Sequence, residues 1–404
     1  MQKRPKILFV TAQWPSAPAY GGQQRVLSIA NLLGRLGEVS FVIVSNAPDE
    51  EETVRRTRRE FNVRRIIRPL PTVPGNSIER LMRRLRHEFD ATYFESGPCA
   101  VGPPDCARIL ELAADHDVVW IHAVMLASRF PIGKWPHSVL DADNLPSSIY
   151  RSAAQASGSP VRRLLDLRMA WIWRRREQVL TQRFDVVTVC SENDRRYLGN
   201  QDRTHVIPNG FQPSPADRCL SPQAQRIGFI GTFDWMPNEQ GARWFIRDVW
   251  PLIKRESPRA QLRLVGRGSE GCLTKLGPDI AGLGWIADPT DEIATWSAMV
   301  VPIKVGAGTR IKIAEGFARK CPVVATTLGA FGYEARNGDE ILLADGASDF
   351  ASACVLLLSN PALGEALAER AHKRFVKEWT WDSYASRVGR VIEDCLARNG
   401  KTAA

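Results

Sequence analysis

The chain has 404 residues, too many for one ordinary hydrophobic core, so two domains of about 200 residues each are expected. Its 44% hydrophobic and 24% charged residues exclude global disorder, and no run approaches the roughly 18 continuous apolar residues of a membrane-spanning helix. A net charge of +10, with arginine concentrated in the first half, points to anionic partners: phosphorylated substrates, membrane surfaces or nucleic acid.

The apolar run 7–12 is too short for the core of a secretory leader and is expected to be a first strand. After a Pro-rich loop, Gly21-Gly22 precedes a segment with helical apolar spacing (Val26, Ile29, Leu33, Leu36), and 39–44 is a second strand. This β-loop-α-β layout is that of a doubly wound domain. Residues 50–68 are charged and predict a solvated helix and sheet edge, and 78–87 predict a short basic amphipathic helix. Strand 118–121 ends at His122, and strand 139–140 runs into Asp141, Asp143 and Asn144. Ligands gather at the carboxyl ends of strands in open α/β sheets, so these polar residues are well placed. Residues 161–184 predict a long helix rich in arginine. Trp171 and Trp173 are expected in its core face, while the arginines suit an anionic membrane.

Residues 211–225 are polar and Pro-rich and read as a linker, after which the pattern restarts. Strand 227–230 leads to Gly231-Thr232, a helix covers 238–253, and strand 261–265 ends at Gly266-Arg267-Gly268. Short strands are expected over 282–286 and 339–343, and a last helix over 381–398. The most informative stretch is 299–327. A strand over 299–303 meets the turn Val305-Gly306-Ala307-Gly308-Thr309, and a helix begins at Arg310. Free N–H groups at a helix start and glycines without side chains form an anion cradle. Arg310 and Lys312 are unfavourable there for the helix dipole, so they read as ligand-facing. Eight scattered cysteines form no CxxC pair or Cys/His cluster and read as reduced core thiols of a cytosolic protein.

The ordered set of Gly21-Gly22, the strand-end His122, the Pro208-Asn209-Gly210 turn, Gly231 and GAGTRIKIAEGFA (306–318) resembles the group 1 (family 4) retaining glycosyltransferases. The resemblance implies a GT-B fold: two Rossmann-like doubly wound α/β domains facing across a central cleft. The domains would be 1–210 on the acceptor side and 226–380 on the nucleotide-sugar side, joined by 211–225. Segment 381–404 would cross back to the first domain.

The resemblance also implies site roles. His122 would contact the donor sugar, with Arg310 and Lys312 as catalytic cations. Gly306, Gly308 and Thr309 would hold the diphosphate, with Gly21 and Gly22 approaching it. Glu315, the second glutamate of the family's Glu-x7-Glu motif, would bind the ribose diol, while the first glutamate is replaced by Ala307. Thr232 and Asn238 stand after Gly231 where many relatives carry an Arg and a Lys, so Lys304, Arg310, Lys312 or Arg267 would supply that charge. Ile286 lies in the segment that would read the nucleobase, and Asp141 and Asn144 would line the acceptor side.

No metal or resident cofactor is expected, the nucleotide-sugar being a co-substrate. The acceptor would be a saccharide or lipid-linked saccharide of envelope polysaccharide synthesis. The location would be cytoplasmic, with peripheral contact to the inner face of an anionic membrane. The same scaffold leaves open a nucleotide-sugar epimerase or hydrolase, and Ala307 leaves open a non-catalytic module. A basic nucleic-acid-binding protein is the reading from another class. No nucleic acid is expected, because the arginine runs lack interleaved aromatics and no known binding module is present.

Overall fold

A computed structural model describes residues 4–15, 21–45, 51–69, 76–91, 100–199, 201–213, 225–271, 277–306 and 308–400. The chain divides into two compact units, residues 1–208 with 384–404, and residues 209–383.

In the first unit, strands β1 (Lys6–Thr11), β2 (Glu38–Val44), β3 (Asn62–Ile67), β4 (Val118–His122), β5 (Ser138–Asp141), β6 (Val186–Val189) and β7 (Thr204–Val206) form one parallel sheet. Their order is β3-β2-β1-β4-β5-β6-β7. β1, β4 and β6 are mostly apolar because helices cover both faces of a parallel sheet. At the edge β3, NVRRII, keeps most of its side chains partly exposed. The chain order reverses between β1 and β4, which makes their carboxyl ends the place where such a sheet receives ligands. The helix Ala385–Arg398 belongs to this unit: Asp394 Oδ2 lies 3.0 Å from His205 Nε2, and Asn399 Nδ2 donates to Asp185 Oδ2 at 3.1 Å.

The second unit repeats the plan with β8 (Arg226–Ile230), β9 (Gln261–Val265), β10 (Ile280–Gly282), β11 (Ala298–Val301), β12 (Val323–Ala325) and β13 (Leu342–Leu343), all parallel. The order β10-β9-β8-β11-β12-β13 puts the switch point between β8 and β11. Two expected strands are shorter than predicted. Gly284, at φ 67°, turns the chain after β10, and β13 holds only two residues. The helix expected over 238–253 is three pieces: Met236–Trp244, a wide π turn Phe245–Val249, and Trp250–Glu256. Pro251 explains the break. It has no N–H to donate, and its ring would strike the carbonyl four residues back, so the preceding turn widens.

The boundary falls at 208/209 rather than 210/211, because Asn209 is bound into the second unit. Phe211 also bridges to Thr380 there. Of the expected linker, residues 214–224 lie outside the described residues. Among the described residues, no single helix is long and apolar enough to cross a membrane.

Gly228 in β8 shows how tightly the second core is closed. A Cβ there would meet the indole of the fully buried Trp296 at 2.0 Å. Gly228→Ala is therefore expected to lower stability by about 1–3 kcal/mol, the usual cost of overpacking. A urea-unfolding midpoint equal to that of the native chain would contradict this packing.

Candidate functional site

Strand register assembles the polar centre of the first unit. Thr11 pairs with His122, His122 with Asp141, and Asp141 with Thr188, so one row of residues crosses the carboxyl ends of four adjacent strands. The helix after β1, Gly21–Leu36, supplies Arg25 to this row. Arg25 is completely buried. Its Nε donates to Asp141 Oδ2 at 3.0 Å, its Nη2 to Asp141 Oδ1 at 2.6 Å, and its Nη1 to the Ile207 carbonyl at 3.1 Å. Thr188 Oγ1 adds a bond to Oδ1 at 2.8 Å, and His122 Nδ1 lies 3.1 Å from Oδ2.

Burial alone would raise the Asp141 pKa, but Arg25 and His122 hold it well below the usual carboxylate range. Burial likewise opposes the Arg25 charge, yet Asp141 and the nearby Cys190 and Asp143 keep its pKa above the ordinary arginine value. Because Asp141 is ionised it can only accept, so His122 Nδ1 must carry the proton of this contact.

This corrects the expectation that Asp141 lines an acceptor site. Each of its oxygens already accepts two bonds, and it is 0% exposed. It positions His122 instead. Asn144 stays partly exposed on the loop after β5, donating to Asp143 Oδ2 at 3.0 Å. Gly21 and Gly22 form the first turn of their helix rather than a loop. Arg25 was missed from the sequence. Its signal is a charge on the apolar stripe it shares with Val26, Ile29 and Leu33.

In the second unit, the loop between β11 and helix Ile311–Ala318 follows the carboxyl end of β11. Gly306 has φ 135°, and a Cβ there would lie 2.5 Å from Arg310 Nη2. The position thus needs glycine for both backbone and space. Arg310 caps the helix and is 4% exposed. Two residues on, Lys312 Nζ donates to Asn238 Oδ1 at 2.8 Å, and Asn238 Nδ2 donates to the Thr232 carbonyl at 2.8 Å. Burial, reinforced by Arg310 and opposed by Glu315, pushes the Lys312 ammonium down to about 7. Lys312 thus brings its amine to the loop after β8, whose Gly231 leaves room for the Asn238 amide.

Thr309 Oγ1 accepts from Asn209 N at 3.0 Å, and the Thr309 carbonyl accepts from Asn209 Nδ2 at 3.3 Å. Tyr333 Oη donates to the Asn209 carbonyl at 2.9 Å. The Pro-Asn-Gly turn, legible only as a turn, is therefore the clamp of the glycine loop. Glu315 is buried, and burial raises its pKa against the pull of Arg319. Both Arg319 contacts, from Nε and Nη2 at 3.1 Å, fall on Oε1. Arg319 was missed although it stands four residues on, where helix geometry pairs it with Glu315.

Other expected residues lie apart. Lys304 donates to the Asp345 carbonyl at 2.7 Å and sits 4.3 Å above the Trp244 ring, so it does not join Lys312. Arg267 is largely exposed and pairs with Asp234 at 2.9 Å, at the margin of a shallow cavity of about 350 Å³ lined in part by Phe233, Asp234 and Gly268. Ile286 packs partly buried against the second core. Ala307 lies outside the described residues. Among the described residues, no group of three or more His, Cys, Asp or Glu side chains is arranged to hold a metal ion.

Residues 224–360 match the family model described as Glycosyl transferases group 1. This segment is a group 1 glycosyl transferase domain. A phosphatidyl-myo-inositol mannosyltransferase of Mycolicibacterium smegmatis is 28% identical over 200 residues, 46% of this chain and 51% of that protein. An uncharacterized 44.6 kDa protein in the cps region of Klebsiella pneumoniae is 27% identical over 128 residues, 29% of this chain and 33% of that one. The chain thus spans about half, or less, of the length of these curated relatives. Sucrose-phosphate synthase from Thermosynechococcus elongatus superposes with a TM-score of 0.65 at 18% identity, covering 98% of this chain and 100% of that one. Anabaena Alr3699/HepE in complex with UDP and glucose gives 0.64 at 14% identity, covering 96% and 99%. At these identities the likeness shows the fold: two parallel-sheet units of the GT-B kind.

Asp141→Asn strands the buried Arg25 charge and is expected to lower stability by about 3–5 kcal/mol at pH 7. The Asp141 pKa is depressed in the folded state, so its contribution is complete above the unfolded carboxylate value of about 4 and is lost as pH falls below it. The gap between native and variant chains should therefore narrow only below about pH 4. A gap already closing between pH 7 and 5 would contradict the assignment.

Proposed function

We propose that the protein is a retaining glycosyltransferase that moves a sugar from a nucleotide-sugar to a saccharide or lipid-linked acceptor of envelope polysaccharide synthesis. The observation that carries this reading is the β11–helix junction, where a glycine loop, helix N–H groups, Arg310 and Lys312 converge in one group 1 domain. Cleavage of the donor loads charge onto the departing diphosphate. Fixed donors and cations at that position stabilise the transition state more than the ground state. The nucleotide-sugar acts as a co-substrate, with no resident cofactor in this reading.

Glu315 suits the ribose diol in a specific way. Arg319 occupies Oε1 and orients the carboxylate, and Oε2 accepts from the diol hydroxyls. His122, its Nδ1 proton held by Asp141, offers Nε2 to the transferred sugar. The relatives support the substrate class. One is a mannosyltransferase acting on phosphatidyl-myo-inositol, another is encoded in a cps region, and a structural neighbour holds UDP and glucose.

The test is nucleoside-diphosphate release from UDP-, GDP-, dTDP- and ADP-sugars with and without a lipid-linked saccharide acceptor. One donor is expected to be turned over faster with acceptor, and Arg310→Ala and Glu315→Gln should each lower kcat/KM about 10²-fold or more while the chain stays folded. Native activity in both variants would overturn the reading.

Lys312 supplies a second check. With its pKa near 7 in the unliganded protein, the amine is largely neutral at pH 8, and a bound diphosphate restores its charge. Diphosphate binding at pH 8 should therefore take up a proton, seen calorimetrically as a dependence on buffer ionisation enthalpy. Lys312→Met should abolish the uptake. Binding without proton uptake in the native chain would contradict Lys312 as a phosphate contact.

A further inference from the structure

Two helices of the first unit carry apolar side chains that the fold does not cover. In Ser77–Phe89, residues Ile78, Leu81, Met82, Leu85 and Phe89 are each 44–73% exposed. Their spacing of three and four places them on one face. In Pro160–Gln178, residues Val161, Leu164, Leu165 and Trp171 are each 47–69% exposed. Trp171 was expected in the core. The structure instead buries Trp173 and leaves Trp171 at the surface.

The two faces join. The Phe89 and Trp171 rings meet edge to face at 6.5 Å. Arg168 pairs with Glu88, and Arg175 Nη2 donates to the Phe89 carbonyl at 2.8 Å while its guanidinium lies 4.8 Å from the Trp171 ring. Isolated exposed apolar residues are ordinary, but nine on two linked helices form a surface that a soluble chain rarely leaves open.

We propose that this pair of helices docks the protein onto an anionic lipid surface. The charge selects the occupant. The first helix carries four arginines against two glutamates, and the second carries six against one aspartate and one glutamate. In Ser77–Phe89, helical spacing puts Arg80 opposite the apolar face and Arg84 and Arg86 on its two flanks, the pattern of a helix lying in a bilayer interface. A second copy of the chain would bring two such arginine-rich surfaces together and repel, whereas anionic headgroups complement them. The inference does not depend on the reaction proposed above.

The test is co-sedimentation of the full chain with phosphatidylcholine vesicles, with and without about 30% phosphatidylglycerol, at low and high salt. The native chain is expected to bind the anionic vesicles, and at least tenfold less to neutral vesicles or at high salt. Leu81→Glu/Leu85→Glu should reduce binding at least tenfold with an unchanged thermal midpoint. If that pair lowers the midpoint, the more exposed Ile78→Glu decides by the same criterion. Equal binding by native and variant chains would overturn the assignment of the apolar face. So would absence of binding to anionic vesicles, or a dimer in light scattering that the substitutions dissolve while no vesicle binding occurs.

Discussion

Two basic side chains are held together at the start of one helix. Arg310 and Lys312 stand at the end of Ile311–Ala318 where the peptide dipoles already present partial positive charge. Burial pushes the Lys312 ammonium down to about 7, and its nitrogen rests on the neutral amide of Asn238. The loop beside it is shaped around the same feature. Gly306 yields its side-chain space to the Arg310 guanidinium, and Asn209 and Tyr333 clamp the loop through Thr309. An anion bound in that turn would relieve the repulsion and meet the positive end of the helix dipole at once.

The first unit treats its buried cation differently. Arg25 is matched inside the fold by a carboxylate that accepts both arms of its fork. That pair fixes the row of side chains across four strand ends and holds the imidazole of His122 by its Nδ1. One unit therefore uses its buried ion pair to position an imidazole, while the other holds a lysine against a neutral amide at a helix start. The match to the group 1 family model lies in the unit with the cationic turn.

Much of this architecture was legible in the sequence because the signals were local. Parallel strands buried on both faces read as short apolar runs, and β1, β4, β8 and β11 fell where those runs lie. The glycine turn and its two cations were visible for the same reason. What was hidden depended on distance along the chain. Arg25 meets Asp141 across 116 residues, and Asn209 meets Thr309 across 100, so neither pairing leaves a spacing to read. Asp141 looked like a ligand contact because strand-end position does not reveal that its oxygens are already occupied. Helices Pro103–Ala114 and Pro146–Ala156 escaped notice, since each opens on a proline that reads equally well as loop punctuation. Trp171 was misplaced because alternate turns of an arginine-rich helix give little sign of which face turns inward.

The central claim is that the turn between β11 and its helix receives the diphosphate of the donor. Hydrogen exchange of segment 303–315, followed in the unliganded chain and with nucleoside or nucleoside diphosphate added at saturation, tests it most directly. Amides at the start of Ile311–Ala318 and in the loop before it are expected to gain protection with the diphosphate and not with the nucleoside. Protection by the diphosphate confined to other segments, with this turn unchanged, would contradict the account.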